Sequence, residues 1–194
     1  AKTLDDLKGK RIYLGPQGSG RRQTMQVVMG ILGWADDAIT DIAEFKASNP
    51  AEALCDDEFD AFVYTIGNPN PTVQEAISTC RANLLTITHP GLERFAEKKP
   101  YYVTSVIPGD TYSDHSADIS TLGLVATLVT SNEVPSAIIY ELTQGFFGNL
   151  EELKKSYPLI ATLKPQQRAS TGLTAPLHDG SLQYFSELGL IKRG

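Results

Sequence analysis

Apolar positions along the chain alternate between a compact, strand-like spacing and a helical one. Arg11–Gly15 (Arg-Ile-Tyr-Leu-Gly) is a short apolar run ending in glycine and predicts a strand. Met25, Val28, Met29 and Leu32 follow at i, i+3, i+4 and i+7, one face of a helix, and Gly33 predicts its end. Ala38–Phe45 carries a weaker strand signal. Asn49-Pro50 predicts the start of a short helix bearing Ala51, Leu54 and Cys55. Asp60–Gly67 (Asp-Ala-Phe-Val-Tyr-Thr-Ile-Gly) is the strongest strand signal, broken by Pro69 and Pro71, and Val73–Arg81 reads as helix. Leu84–Thr88 predicts a further strand and Leu92–Lys99 a further helix. Strand and helix in alternation predict a mostly parallel sheet with helices on its faces.

The pattern changes near Pro100. Tyr101–Ile107 reads as extended, Pro108-Gly109-Asp110 as a turn, residues 110–120 are polar, and Leu122–Thr130 alternates in bulk like a strand. From Pro135 onward the chain reads as helical: Pro135–Phe147, Leu150–Tyr157, and a helix after Asp179. Pro135 suits a first helical position. Asn149 with Glu152 resembles a capping box. Asp179 suits an N-cap and Gly189 a stop. The shift near residues 100–120 is the one seam in a chain without internal repeats.

Composition narrows the function classes. With 194 residues, 41% apolar and 21% charged, the chain can bury a sizeable core and is not a disordered segment. Its longest weakly polar stretch, Leu122–Val129, falls far short of the roughly 20 residues that span a bilayer. The net charge of −6, without a long basic block, argues against nucleic-acid or anionic-membrane binding. The start of the chain, Ala-Lys-Thr-Leu-Asp-Asp, is polar and carries no signal-peptide pattern. Cys55 and Cys80 spell neither a zinc site nor a thioredoxin motif; they are two half-buried thiols or one disulfide, the latter requiring an oxidising compartment. His89, His115 and His178 are scattered without metal-ligand spacing, so surface or packing roles are expected and no metal or cofactor is.

The richest chemistry lies in Arg11–Thr24. Gly15, Gly18 and Gly20 fall between a predicted strand and a predicted helix. Glycines there permit close approach to the backbone, and the free amides of a first helical turn attract an anion. Ser19 adds a hydroxyl, and Arg21 or Arg22 a charged fork. The plainer alternative is a tight turn with a serine cap and two solvated arginines. Gly15 to Gly20 mimics a P-loop spacing, but arginines stand where that motif needs Lys and Ser/Thr, and the dinucleotide pattern is absent. A carboxylate needs only what is present. The second stretch, Thr65–Pro71 (Thr-Ile-Gly-Asn-Pro-Asn-Pro), repeats the strand-to-helix setting, so Thr65, Gly67, Asn68, Pro69 and Asn70 become candidates for the same cleft. A plain turn is again the alternative. No nucleophile elbow or Cys–His arrangement is present, and an enzyme is not expected.

Four fragments in order, Asp6–Gly20, Glu58–Cys80, Val106–Tyr112 and Ala175–Leu190, resemble the TAXI family, the extracytoplasmic solute-binding proteins of TRAP transporters. The resemblance implies a type II periplasmic-binding-protein-like α/β fold of two lobes, each with parallel-rich sheets flanked by helices. It implies residues 1–105 as lobe 2, and 106–194 as the return crossing with a helical segment completing lobe 1, most of lobe 1 being absent from this chain. It implies a small carboxylate ligand (glutamate, a dicarboxylate or a 2-oxo acid) delivered to membrane permease subunits. A periplasmic location follows, with the signal peptide outside this chain. Gly18, Ser19 and Gly20 match the family's carboxylate-holding turn, and Gly67, Asn68 and Pro69 its second binding loop. Arg21 departs from the small hydroxyl residue usual there: it either favours a more acidic ligand or points to solvent. The resemblance also predicts exposed apolar faces at Ile138, Ile139, Leu142, Phe146 and Phe147, which would favour oligomers. A cytosolic ligand-sensing domain of the same fold is the alternative.

Overall fold

The computed structural model describes residues 1–113, 116–161, 163–170 and 172–191. His115 lies outside them. The chain forms two compact units, one built from Ala1–Phe95 with Thr104–Leu122, the other from Ala96–Val103 with the described residues from Gly123 onward. The described residues hold five strands and eight α-helices.

In the first unit, Ile12 is fully buried at the centre of strand β1 (Arg11–Tyr13). Two parallel neighbours flank it. Strand β2 (Thr40–Asp41) pairs Arg11 with Thr40, and strand β3 (Ala61–Phe62) pairs Ile12 with Ala61 and Tyr13 with Phe62. The order is therefore β2-β1-β3. Helix α1 (Gly20–Ile31) joins β1 to β2, and helix α2 (Pro50–Cys55) lies between β2 and β3. Crossovers of one hand running in opposite directions put their helices on opposite faces of a sheet. Accordingly, alternate residues of β1 feed different cores. Ile12 packs with Met25 and Val28 of α1, while Tyr13 packs with Ala53 of α2 and Phe59.

Helix α1 ends as the glycine predicts. Gly33 takes φ +69°, and the amides of Gly33 and Trp34 bond back to Gly30 and Met29. The Asp60–Gly67 strand is shorter than expected. After Val63 donates to the Tyr13 carbonyl, β1 turns away into its loop and leaves residues 64–67 no ladder partner. Leu84–Thr88 forms no ladder either, with one bond from Ile87 N–H to the Ser120 carbonyl. Helix α3 (Pro71–Cys80) follows in this unit, and helix α4 (Pro90–Lys98) begins in it and runs past its boundary at Phe95. Cys55 and Cys80 form a disulfide, Cα–Cα 5.2 Å, joining the C-terminal ends of α2 and α3. Of the two alternatives the sequence left open, the pairing is the one found.

Strands β4 (Tyr102–Ile107) and β5 (Ile119–Leu124) pair and carry the chain between the units. The expected strand thus lies earlier than Leu122–Thr130. In the second unit, α5 (Ser136–Gly148) and α8 (Asp179–Glu187) cross so closely that a Cβ on Gly180 would sit 2.2 Å from the Ser136 carbonyl oxygen. Between them come α6 (Leu150–Ser156) and the short α7 (Pro165–Arg168). The core gathers Ala169, Tyr184 and Phe185, with Tyr140 and Phe147 against it. Along α5, Ile138, Leu142 and Phe146 are exposed as expected, whereas Ile139 is buried and Phe147 half-buried. Pro135 caps α5 rather than starting it. Asn149 makes no capping-box bond; its Nδ2 donates to the Gly145 carbonyl instead. His178, not Asp179, caps α8: its Nδ1 accepts the Gly180 N–H at 3.2 Å.

Candidate functional site

In the order β2-β1-β3 the chain leaves β1 for β2 on one side and then crosses back past β1 to β3 on the other. The carboxyl ends of β1 and β3 therefore flank the reversal point, where α/β sheets open a crevice. Both loops singled out in the sequence start there. The loop after β1 runs through Gly15 (φ +106°) and Gly18 (φ +75°) to Ser19, the N-cap of α1. The loop after β3 runs from Val63 to Asn70, the N-cap of α3, through a cis Asn68–Pro69 bond.

In the first loop the donors are partly spent. Ser19 N–H bonds the Pro16 carbonyl, Arg22 N–H reaches Ser19 Oγ at 3.4 Å, and Gln23 N–H reaches the Ser19 carbonyl. Among the described residues the amides of Gly20 and Arg21 keep no partner, so they are the donors at the positive end of the α1 dipole.

The two arginines divide sharply. Arg22 is buried and holds the loop itself. Its Nε donates to the carbonyls of Gly15 at 2.9 Å and Pro16 at 3.3 Å. Its Nη1 and Nη2 pair with both oxygens of Asp41 on β2, the second at 3.1 Å. Arg22 therefore has no fork left to offer. Arg21 is half-buried and folds back over Gly15, whose absent side chain makes the room: a Cβ there would fall 2.4 Å from Arg21 Nε. Its guanidinium lies over the rings of Tyr13, at 5.1 Å, and Tyr64, at 5.2 Å, and Nη2 donates to Tyr13 Oη at 3.2 Å. Among the described residues no carboxylate pairs with it. Arg21 thus lies over Tyr13, the last residue of β1, and Tyr64, just beyond β3, with most of its donors unspent.

The second loop distributes its groups differently. Thr65, Gly67 and Pro69 are exposed, and Asn68 and Asn70 half-buried. Asn70 Oδ1 accepts from Thr72 N–H at 3.0 Å and Val73 N–H at 3.3 Å, so its side chain is a helix cap. Asn68 Oδ1 receives the hydroxyl proton of Tyr112, whose oxygen also takes the Asn70 N–H at 3.0 Å. Burial pushes the Tyr112 hydroxyl above the ordinary tyrosine range, partly offset by that Asn70 bond. Sequence reasoning missed Tyr13, Tyr64, Asp41 and Tyr112. The strand-end position of Tyr13 marked it in principle; the other three act across sequence distance.

A parallel sheet with helices on both faces and two loops at its reversal point defines a ligand-binding α/β protein. The sequence model of the NMT1-like family matches residues 1–189, and the chain belongs to that family. It is a periplasmic-binding-protein-like family, related to TRAP and TAXI solute-binding proteins; it is a family of binding proteins rather than enzymes, and typically extracytoplasmic. The mixed α/β architecture with its parallel sheet is in keeping with that fold. No helix among the described residues is long and apolar enough to cross a membrane. Among those residues no His, Cys, Asp and Glu cluster offers a metal site.

Proposed function

We propose that this chain is a TAXI-type solute-binding protein of a TRAP transporter, capturing a small carboxylate outside the cytoplasm and passing it to membrane permease subunits. Glutamate, a dicarboxylate or a 2-oxo acid fits the donor set. The carrying observation is the convergence at one sheet reversal of two unspent α1 amides, the Arg21 guanidinium without a carboxylate partner, and the loop holding Asn68. The two amides, the guanidinium and the Asn68 carboxamide nitrogen are hydrogen-bond donors, and the first three are positively polarised, which suits an anion. Gly18, Ser19 and Gly20 shape the first loop; Thr65, Gly67, Asn68, Pro69 and Asn70 shape the second. Residues 1–105 correspond to one lobe of such a receptor and 106–194 to the return crossing and the helices that complete the other. The Cys55–Cys80 disulfide supports an oxidising compartment.

Thermal shift against L-glutamate, succinate, 2-oxoglutarate and ATP tests this reading. A bound carboxylate at 100 times its dissociation constant should add about 2.7 kcal/mol of stability, visible as several degrees. Stabilisation by ATP alone would replace the carboxylate with a phosphate ligand.

A further inference from the structure

The second loop is fastened from a distant part of the chain. Tyr112 lies in the segment joining β4 to β5, 44 residues beyond Asn68. It is 3% exposed and packs on Val73 and Ile77 of α3. Ser113 adds a second fastening to the same helix: Gln74 Nε2 donates to its Oγ, and its own N–H donates to Gln74 Oε1 at 3.2 Å.

The proton inventory at Tyr112 sets the polarity of Asn68. A phenol carries one O–H. The Asn70 N–H occupies a lone pair of the phenol oxygen, and the O–H points to Asn68 Oδ1. Were the Asn68 carboxamide to flip, its NH2 would meet an oxygen already receiving a donor, and the phenol proton would lose its acceptor. The Asn68 oxygen is thereby kept toward Tyr112 and the amide nitrogen toward the loop. One N–H of Nδ2 reaches the Ile66 carbonyl at only 3.4 Å, and the other keeps no partner among the described residues.

We infer that Tyr112 is a positioning residue: through its hydroxyl it holds the Asn68 carboxamide oxygen and so leaves the amide nitrogen as the group Asn68 can offer, so that the second loop selects ligands presenting an oxygen acceptor. This rests on the binding reading of the same cleft. Two variants isolate it. Tyr112→Phe keeps the ring and frees the carboxamide. Asn68→Asp keeps an oxygen for the Tyr112 proton but replaces the donor with a second oxygen.

Calorimetry with L-glutamate, succinate and 2-oxoglutarate should show affinity falling about tenfold in Tyr112→Phe, and further in Asn68→Asp, whose melting temperature stays near wild type. NMR of the ligand-free protein supplies the independent readout. The Asn68 side-chain NH2 pair and the Asn70 amide should be single and slowly exchanging, and Tyr112→Phe should broaden or shift both. Unchanged Asn68 resonances in Tyr112→Phe overturn the lock, as does wild-type affinity in Asn68→Asp. If no carboxylate binds the wild type, the transporter reading falls while the NMR comparison still decides the role of Tyr112.

Discussion

The two loops at the end of the sheet occupy equivalent places yet use their polar groups in opposite ways. The loop after β1 is braced internally by a charge, Arg22 between the Gly15 and Pro16 carbonyls and Asp41. That bracing leaves its neighbouring donors, the Gly20 and Arg21 amides and the Arg21 guanidinium, uncommitted. The loop after β3 is braced by its own candidate ligands: Asn70 caps α3, and Asn68 answers Tyr112. A loop stabilised by groups outside its binding edge can present that edge fully, whereas one stabilised by the edge itself offers only the remainder. On the proposed carboxylate-binding function, the first loop should therefore carry most of the affinity and the second most of the orientation.

The helices behind the loops differ in the same manner, one held by an ion pair and the other by a covalent bond. The largest expected effect follows from the covalent one. Replacing Cys55 and Cys80 with serine frees a crosslink of sequence separation 25. The chain-entropy relation gives about 3.5 kcal/mol for a loop of that length. Urea unfolding should show that loss, and a reductant should reproduce it in the wild type. Next comes Arg22→Ala, expected to cost about 3 kcal/mol by orphaning Asp41 and two loop carbonyls. The low end of the buried-pair range applies because the Asp41 side chain is 35% exposed. Arg22→Lys should rescue little, since a point charge cannot span both oxygens and the two carbonyls. A wild-type unfolding curve for Arg22→Ala would erase the contrast between the loops.

Arg21→Ala sharpens the contrast because its effect should fall on binding rather than stability. The tyrosine contacts of a half-exposed cation contribute only about 0.5–1 kcal/mol. A charge-assisted bond to a ligand carboxylate contributes about 1.5–3 kcal/mol, so affinity should drop roughly tenfold to a hundredfold. Calorimetry beside a thermal melt separates the two. If Arg21→Ala melts early yet binds normally, the guanidinium is a brace like Arg22.

Much of this architecture was legible in the sequence, and what was not has identifiable causes. Helix α1 and its Gly33 stop could be read because period and cap are local. So could the setting of both loops, strand end to helix start. The division between Arg21 and Arg22 was not legible: adjacent helical residues point about 100° apart, and only the fold says which of the two faces Asp41. Residues 64–67 read as strand by their side chains, but a strand also needs a neighbour, and β1 leaves before they arrive. The disulfide depended on bringing the ends of α2 and α3 together, and the Tyr112 clasp on a contact 44 residues long in sequence. His178 took the cap of α8 from Asp179 because its ring joins Gly180 to the Val134 carbonyl, at 3.1 Å, a bond the local sequence does not announce.

Alkaline pH should part the two loops by the smallest margin. The first loop's working cations are arginines, which stay charged throughout the accessible range. The second depends on a neutral Tyr112, whose hydroxyl must donate to Asn68. Burial raises its pKa in the folded protein above the ordinary tyrosine value of about 10. A raised value means that the folded state favours the protonated phenol. The resulting stabilisation is complete below the unfolded-state pKa and is lost as pH climbs through the folded one. The clasp should thus survive to about pH 10 and loosen beyond it. Tyr140 also titrates late, because its hydroxyl donates to Glu187 at 2.6 Å. Tyrosinate absorbance must therefore be read as the difference between wild type and Tyr112→Phe. One of the eight tyrosines should vanish from the late phase of that titration. If the late phase is unchanged in Tyr112→Phe, Tyr112 is solvated, and the second loop is as free as the first.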